Sequence, residues 1–134
     1  MPVPLRVVSV ERSLFEGDVD FIVANGADGE LGILPRHAAL MTSLKPGALK
    51  ITQAGQEQLL FVGGGFLEVL PDRVTVLADV AERADEISVE RAEEARKRAQ
   101  EKLAGTLTTA EEVEFNQALA IAEARLRLAR SRRG

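Results

Sequence analysis

The sequence predicts an α+β chain: a β-sandwich or flattened barrel over residues 1–84, then an antiparallel pair of helices over residues 85–134. Three observations carry this. Short runs of β-branched and other apolar residues recur up to about residue 80, separated by turn chemistry at the spacing of all-β domains. All five Pro lie in that stretch, and only Gly105 and Gly134 follow Gly65. From Asp85 onward the composition turns to Ala, Glu, Arg and Leu, the helix formers. The charge divides at the same place: residues 1–84 hold 11 acids and 7 bases, residues 85–134 hold 10 of each.

Residues 5–10 read as the first strand, and Ser13 opens the next. Residues 18–23 alternate polar and apolar, the period of one half-buried strand. Asp28-Gly29 marks a turn, and residues 30–34 form a short strand stopped by Pro35. Runs at 40–44, 48–52, 58–62, 66–70 and 74–77 follow. Their separators are Lys45-Pro46-Gly47, Ala54-Gly55, Gly63-Gly64-Gly65 and Pro71-Asp72, giving about nine or ten strands.

Ser88 is the expected N-cap of the first helix, which runs to about Ala104, where Gly105 supplies a left-handed stop. Thr109 and Glu112 have capping-box spacing, so the second helix runs from there to about Arg132. A connection this short folds the helices back on each other. Val89, Ala92, Ala95, Ala99 and Leu103 share one face, and Phe115, Ala118, Ala122, Leu126 and Ala129 share another. At roughly 0.8 kcal/mol per methyl-sized group, six seam alanines contribute about 5 kcal/mol. Ordering each residue costs about 1–2 kcal/mol before hydrogen bonds and other burial offset it. Such a hairpin is marginal alone; it leans on a partner and can leave it.

Composition removes several function classes. Aromatics are only 4%, which disfavours gripping single strands by stacking. With no Cys and one His, thiolate chemistry, zinc–thiolate sites and most histidine metal sites are gone, and a Ser–His–Asp site would depend on His37 alone. The net charge of −4 argues against wrapping nucleic acid. No apolar run approaches a transmembrane helix, and the opening MPVPLRVVSVERSL lacks a signal-peptide core. A non-catalytic protein on the cytosolic side is expected.

Four features invite a site. Gly63-Gly64-Gly65 suggests a phosphate loop, but Phe66-Leu67-Glu68 stands where Lys-Ser/Thr should, so a tight inter-strand turn is the better account. His37 ends a strand without a persuasive Ser–Asp pair, and Ala27-Asp28-Gly29-Glu30 reads first as a solvated acidic turn. Arg125, Arg127, Arg130, Arg132 and Arg133 face a single acid, Glu123, from residue 117 onward. Five cations exceed what a helix C-terminus needs, and an acidic protein surface or a phosphate suits them. Arg91 and Arg98 near a helix start suit phosphates, although intrahelical pairing of Glu94 with Arg98 and Glu93 with Lys97 is the plainer expectation.

Taken in order, these residues resemble the ε subunit of the rotary F-type ATP synthase along nearly the whole chain. The resemblance rests on residues 29–38 (GELGILPRHA), 64–69 (GGFLEV), 74–79 (VTVLAD) and 81–84 (AERA), followed by the Ala/Arg-rich hairpin. It implies an N-terminal ten-stranded β-sandwich and a C-terminal two-helix hairpin. It also implies a non-catalytic central-stalk subunit that binds the γ subunit, sits on the c-ring and turns with both, peripheral to a bacterial plasma membrane or thylakoid membrane on its cytoplasmic or stromal face.

By the same resemblance Glu30 and His37 stand at c-ring contact positions. Arg125, Arg127 and Arg130 lie on the helix that, when extended, reaches the α/β catalytic subunits and opposes ATP hydrolysis. Some members bind ATP on the folded hairpin through Ile-Asp-x-x-Arg-Ala; here residues 87–92 match with Ser88 in place of Asp. Glu82, Ile87, Arg91, Ala92, Arg98 and Arg125 match that site, while Ile121 replaces one of its arginines, so weak regulatory ATP binding or none is expected. A free-standing cytosolic nucleotide sensor, and a small sandwich enzyme using His37, are the rival readings.

Overall fold

The computed structural model describes residues 2–33 and 39–133, with side chains through Ser131. Residue contacts cluster into two units, Met1–Arg83 and Ala84–Gly134.

The first unit is a ten-stranded β-sandwich. Its strands are β1 (Val3–Ser9), β2 (Ser13–Val19), β3 (Phe21–Gly26), β4 (Gly29–Ile33), β5 (Leu40–Leu44), β6 (Gly47–Gln53), β7 (Gln56–Val62), β8 (Gly65–Leu70), β9 (Arg73–Ala78) and β10 (Ala81–Arg83). Pairing runs β10-β7-β6-β3-β5-β8-β9-β1-β2, with β4 on β3. The single pair Gly26–Leu44 joins β3 to β5, and β1 against β9 is parallel. Alternate residues of both layers point inward: Leu5 and Val7, Ile22 and Ala24, Leu49 and Ile51, Leu67 and Val69, Val74 and Val76 are all buried. That period of two is what a sheet covered on one face requires.

Two turns decide local geometry. At β6–β7, Ala54 and Gly55 both have positive φ (52° and 80°), as a two-residue hairpin loop demands. Asp20 Oδ2 accepts from Ala54 N–H at 2.9 Å, and Asp20 N–H donates to Thr52 O at 2.8 Å. Asp20 therefore turns the chain between β2 and β3, so residues 18–23 are two strands, not the single one their alternation predicts. At β7–β8, Gly63 N–H donates to Val80 O, and Gly64 O accepts from Asp79 N–H. Gly65 has φ +124°, and a Cβ there would sit 2.1 Å from Leu77 O. The triple glycine is a packed turn in which Gly64 (φ +98°) and Gly65 hold backbone conformations that L side chains rarely adopt.

The second unit holds a 3₁₀ turn (Ala84–Glu86), α1 (Val89–Leu103) and α2 (Thr109–Arg133); the turn and α1 both pack on α2. Ser88 caps α1, its Oγ accepting from Arg91 N–H at 3.2 Å. The capping box of α2 sits one residue earlier than its spacing predicts. Glu111 N–H donates to Thr108 Oγ1 (3.2 Å) and Thr108 N–H to Glu111 Oε1 (3.1 Å). Thr108 N–H holds the Glu111 carboxyl below its ordinary value, helped by the Thr108 hydroxyl and by Lys102. Gly105 is not left-handed; α1 closes by tightening, with Gly105 N–H donating to Lys102 O at 3.2 Å.

The seam also departs from expectation. Ala92 and Ala99 are buried and Val89 and Leu103 half-buried, but Ala95 is exposed and Arg96 takes its place. Residues 89, 92, 96, 99 and 103 follow a heptad step, which favours position 96 over 95. On α2, Ala122, Leu126 and Ala129 are buried and Phe115 and Ala118 half-buried. Ala124 and Leu128 are buried as well, about 200° round the helix from Ala122 and Leu126. The C-terminal half of α2 therefore hides two faces, while residues 109–114 are exposed.

Candidate functional site

The outer face of the β5-β8-β9-β1-β2 layer carries apolar side chains where a solvated sheet face would carry polar ones. Cross-strand register aligns Ser43, Phe66, Leu77, Val8 and Ser13 in one row. Phe66 is 53% exposed and Leu77 49%; in the next row Met41 is 63% exposed. That second row reads Met41, Glu68, Thr75, Arg6, Glu16. Arg6, Glu16, Glu68, Arg73 and Thr75 are among the residues lining an open cleft of about 520 Å³. An apolar row with a rim of both charge signs has the composition of a protein-docking surface, and it suits no small anion. Reading the sequence missed this face. The available signal was residues 74–77, apolar at Val74, Val76 and Leu77 and so marked for cover on both sides.

At the β3–β4 turn, Glu30 lies exposed on β4 opposite Asn25. Asn25 ties this hairpin to the β5–β6 turn: its Nδ2 donates to Pro46 O at 3.2 Å, and its carbonyl accepts from Lys45 N–H at 2.9 Å. Glu30 therefore projects from a braced corner. His37 lies outside the described residues.

Of the residues matched to an ATP site, Glu82 belongs to β10, half-buried and opposite Phe61, whereas the rest belong to the helical unit. Arg91, Glu94, Ala95 and Arg98 occupy one face of α1 at i, i+3, i+4 and i+7, lining an open hollow of about 380 Å³. Ala92 turns away from that face into the seam, Ile87 is half-buried, and Ser88 has its hydroxyl occupied as a cap. The expected intrahelical pairs do not form. Glu93 instead reaches across to Arg130, Oε1 to Nη2 3.6 Å, and neither Glu94 nor Arg98 enters an ion pair among the described residues.

The basic end of α2 is split. Arg127 and Arg130 are exposed three residues apart on one side, while Arg125 is half-buried on another and has partners of its own. The Glu93–Arg130 pair is more than half exposed on the arginine side (58%), so it holds the helices together only weakly.

The sequence profile of the ATP synthase Delta/Epsilon chain β-sandwich domain matches residues 2–84, and that of its long α-helix domain matches residues 85–130. An ATP synthase epsilon chain of Dehalococcoides mccartyi is 48% identical over 134 residues, covering 96% of this chain and 93% of the relative. One from Chloroflexus aurantiacus is 56% identical over 96 residues, covering 72% and 69%. Among solved structures, a chain of the Euglena gracilis mitochondrial ATP synthase (OSCP/F1/c-ring, rotational state 1) superposes with a TM-score of 0.80 at 24% identity, covering 92% of this chain and 78% of that one. A chain of the Tetrahymena thermophila mitochondrial ATP synthase central stalk and c-ring gives 0.73 at 14% identity, covering 96% and 97%. At those identities the two structures establish the shared fold.

Proposed function

The chain belongs to the ATP synthase epsilon-chain family, whose members are non-catalytic subunits, and from that premise we propose that it works as a rotor coupling element with a releasable inhibitory arm. The sandwich docks on the γ subunit and rests on the c-ring, so that all three turn together at the cytoplasmic face of the membrane. The observation that carries the docking role is the outer sheet face with Phe66, Leu77 and Met41 exposed beside a rim of charges. A braced corner bearing Glu30 suits the polar surface of the c-ring, with His37, which lies outside the described residues, as the second contact.

The helical unit supplies the arm. Its seam is mostly alanine and its cross-helix ion pair is solvated, so a partner with a few kcal/mol of differential affinity shifts it from closed to extended. Extended, Arg125, Arg127 and Arg130 become available to acidic surfaces of the α/β catalytic subunits, and ATP hydrolysis is opposed. Removing residues from 88 onward is expected to leave an assembled, coupled complex that hydrolyses ATP several-fold faster. Equal hydrolysis rates for the truncated and complete complexes would refute the inhibitory role.

ATP regulation is the second element, favoured by the hollow between Arg91 and Arg98. The Ser88 hydroxyl caps the helix and adds no carboxylate, so ATP titrated into the chain is expected to bind at millimolar strength or not at all. Micromolar binding lost in Arg91→Ala would show instead that this chain senses nucleotide.

A further inference from the structure

Arg96 stands where an apolar residue would close the hairpin best. It occupies the heptad step between Ala92 and Ala99 on the face of α1 that meets α2, and it is half-buried there. Counting along both helices from the Glu93–Arg130 pair puts Arg96 level with Arg127, next to Leu126, a fully buried seam residue of α2. No ion pair or hydrogen bond of the described residues engages the Arg96 side chain. Glu93, one turn away on the same helix, has its carboxylate against Arg130 instead.

A guanidinium in this position contributes and costs at once. Its methylene stem covers seam alanines, as long basic side chains do. Its charged head loses part of its hydration in the closed state and gains no partner in exchange. On opening, that hydration returns.

We propose that Arg96 is a built-in limiter of hairpin closure: its unpartnered guanidinium in the α1–α2 seam keeps the closed state only slightly favoured, so that the arm remains releasable. This rests on the reading of the helical unit as an opening arm, and it names the residue that sets the balance.

The discriminating variant is Arg96→Met, which keeps an unbranched stem and helix propensity and removes only the charged head. Hydrogen exchange by mass spectrometry on the complete chain reads the result, with the β-strand amides as internal reference. Amides of the 89–103 and 115–129 segments are expected to exchange about tenfold more slowly in Arg96→Met, the scale of relieving a partly dehydrated charge, and within about twofold of wild type in Arg96→Lys. Unchanged or faster exchange in Arg96→Met overturns the proposal, because the arginine would then be a packing residue only. The assembled complex separates this from the inhibitory role. Slower exchange with faster ATP hydrolysis supports both, whereas slower exchange with unchanged hydrolysis keeps the Arg96 assignment and removes the inhibitory reading of the arm.

Discussion

The sandwich and the helical unit bury apolar surface with different side chains. Ile22, Leu49, Ile51, Leu60 and Leu67 are each under 2% exposed in the sandwich core, and the helical unit adds Leu126 to that group. The remaining fully closed seam positions are alanines: Ala92, Ala99, Ala122 and Ala129. Alanine brings helices close but removes little area from water, so packing of similar regularity yields much less free energy per residue. Sheet strands are also tied to neighbours distant in sequence, whereas the two helices are tied chiefly to each other. That choice of side-chain size is the physical basis of the releasable arm proposed above.

That contrast can be broken most severely at the β7–β8 turn. Gly65→Ala forces a Cβ against Leu77 O at a φ that L-residues avoid, and a loss of about 4 kcal/mol or more is expected in denaturant unfolding. The sandwich transition should move while helix formation within α1 and α2 keeps its own caps.

A matched pair sharpens the contrast. Leu60→Ala in β7 and Leu126→Ala in α2 delete the same atoms from fully buried sites, each costing about 2–5 kcal/mol locally. The first is expected to lower the unfolding midpoint of the sandwich. The second is expected to leave that midpoint within about 1 °C and to abolish protection of the seam amides. Equal shifts of the sandwich midpoint by both variants would mean the two units unfold as one.

The smallest effect is at the tip of the hairpin. Glu111 has a lowered carboxyl pKa in the folded state because Thr108 N–H and hydroxyl bind it. A depressed folded pKa contributes stability at pH above the ordinary carboxylate value of about 4.3, and that contribution is lost as pH falls through the lowered value. Circular dichroism is expected to show a small loss of helix in this acid window for the wild type. Glu111→Gln should lack that step.

Much of this was legible in the residues, and the exceptions have particular causes. Strand runs and their Gly, Pro and Asp separators predicted the β-sandwich, and the Ala/Glu/Arg tract predicted the helices. Asp20 escaped because the polar–apolar alternation continues straight through it; only its bonds to Thr52 and Ala54 reveal a corner. Ala95 was the expected seam residue and Arg96 stands there instead: both lie one turn from Ala92, and alanine looks the more natural choice. It is the heptad step of the closed hairpin that selects the arginine. The outer face carrying Phe66 and Leu77 was missed because an apolar residue on a strand announces burial without saying whether the cover is this chain or another. Arg125, Arg127 and Arg130 were legible as a basic cluster, and the helical period alone sets Arg125 about 200° from Arg127; only the fold shows that the Arg125 side is the half-buried one.

Native-state hydrogen exchange on the complete, unmodified chain weighs the arm against the body most directly. Seam amides near Ala99 and Ala122 should open with a free energy several kcal/mol below that of amides in β1, β7 and β8, and without the strands opening too. Protection of the two helices equal to that of the central strands, lost in a single cooperative step, would contradict a releasable arm.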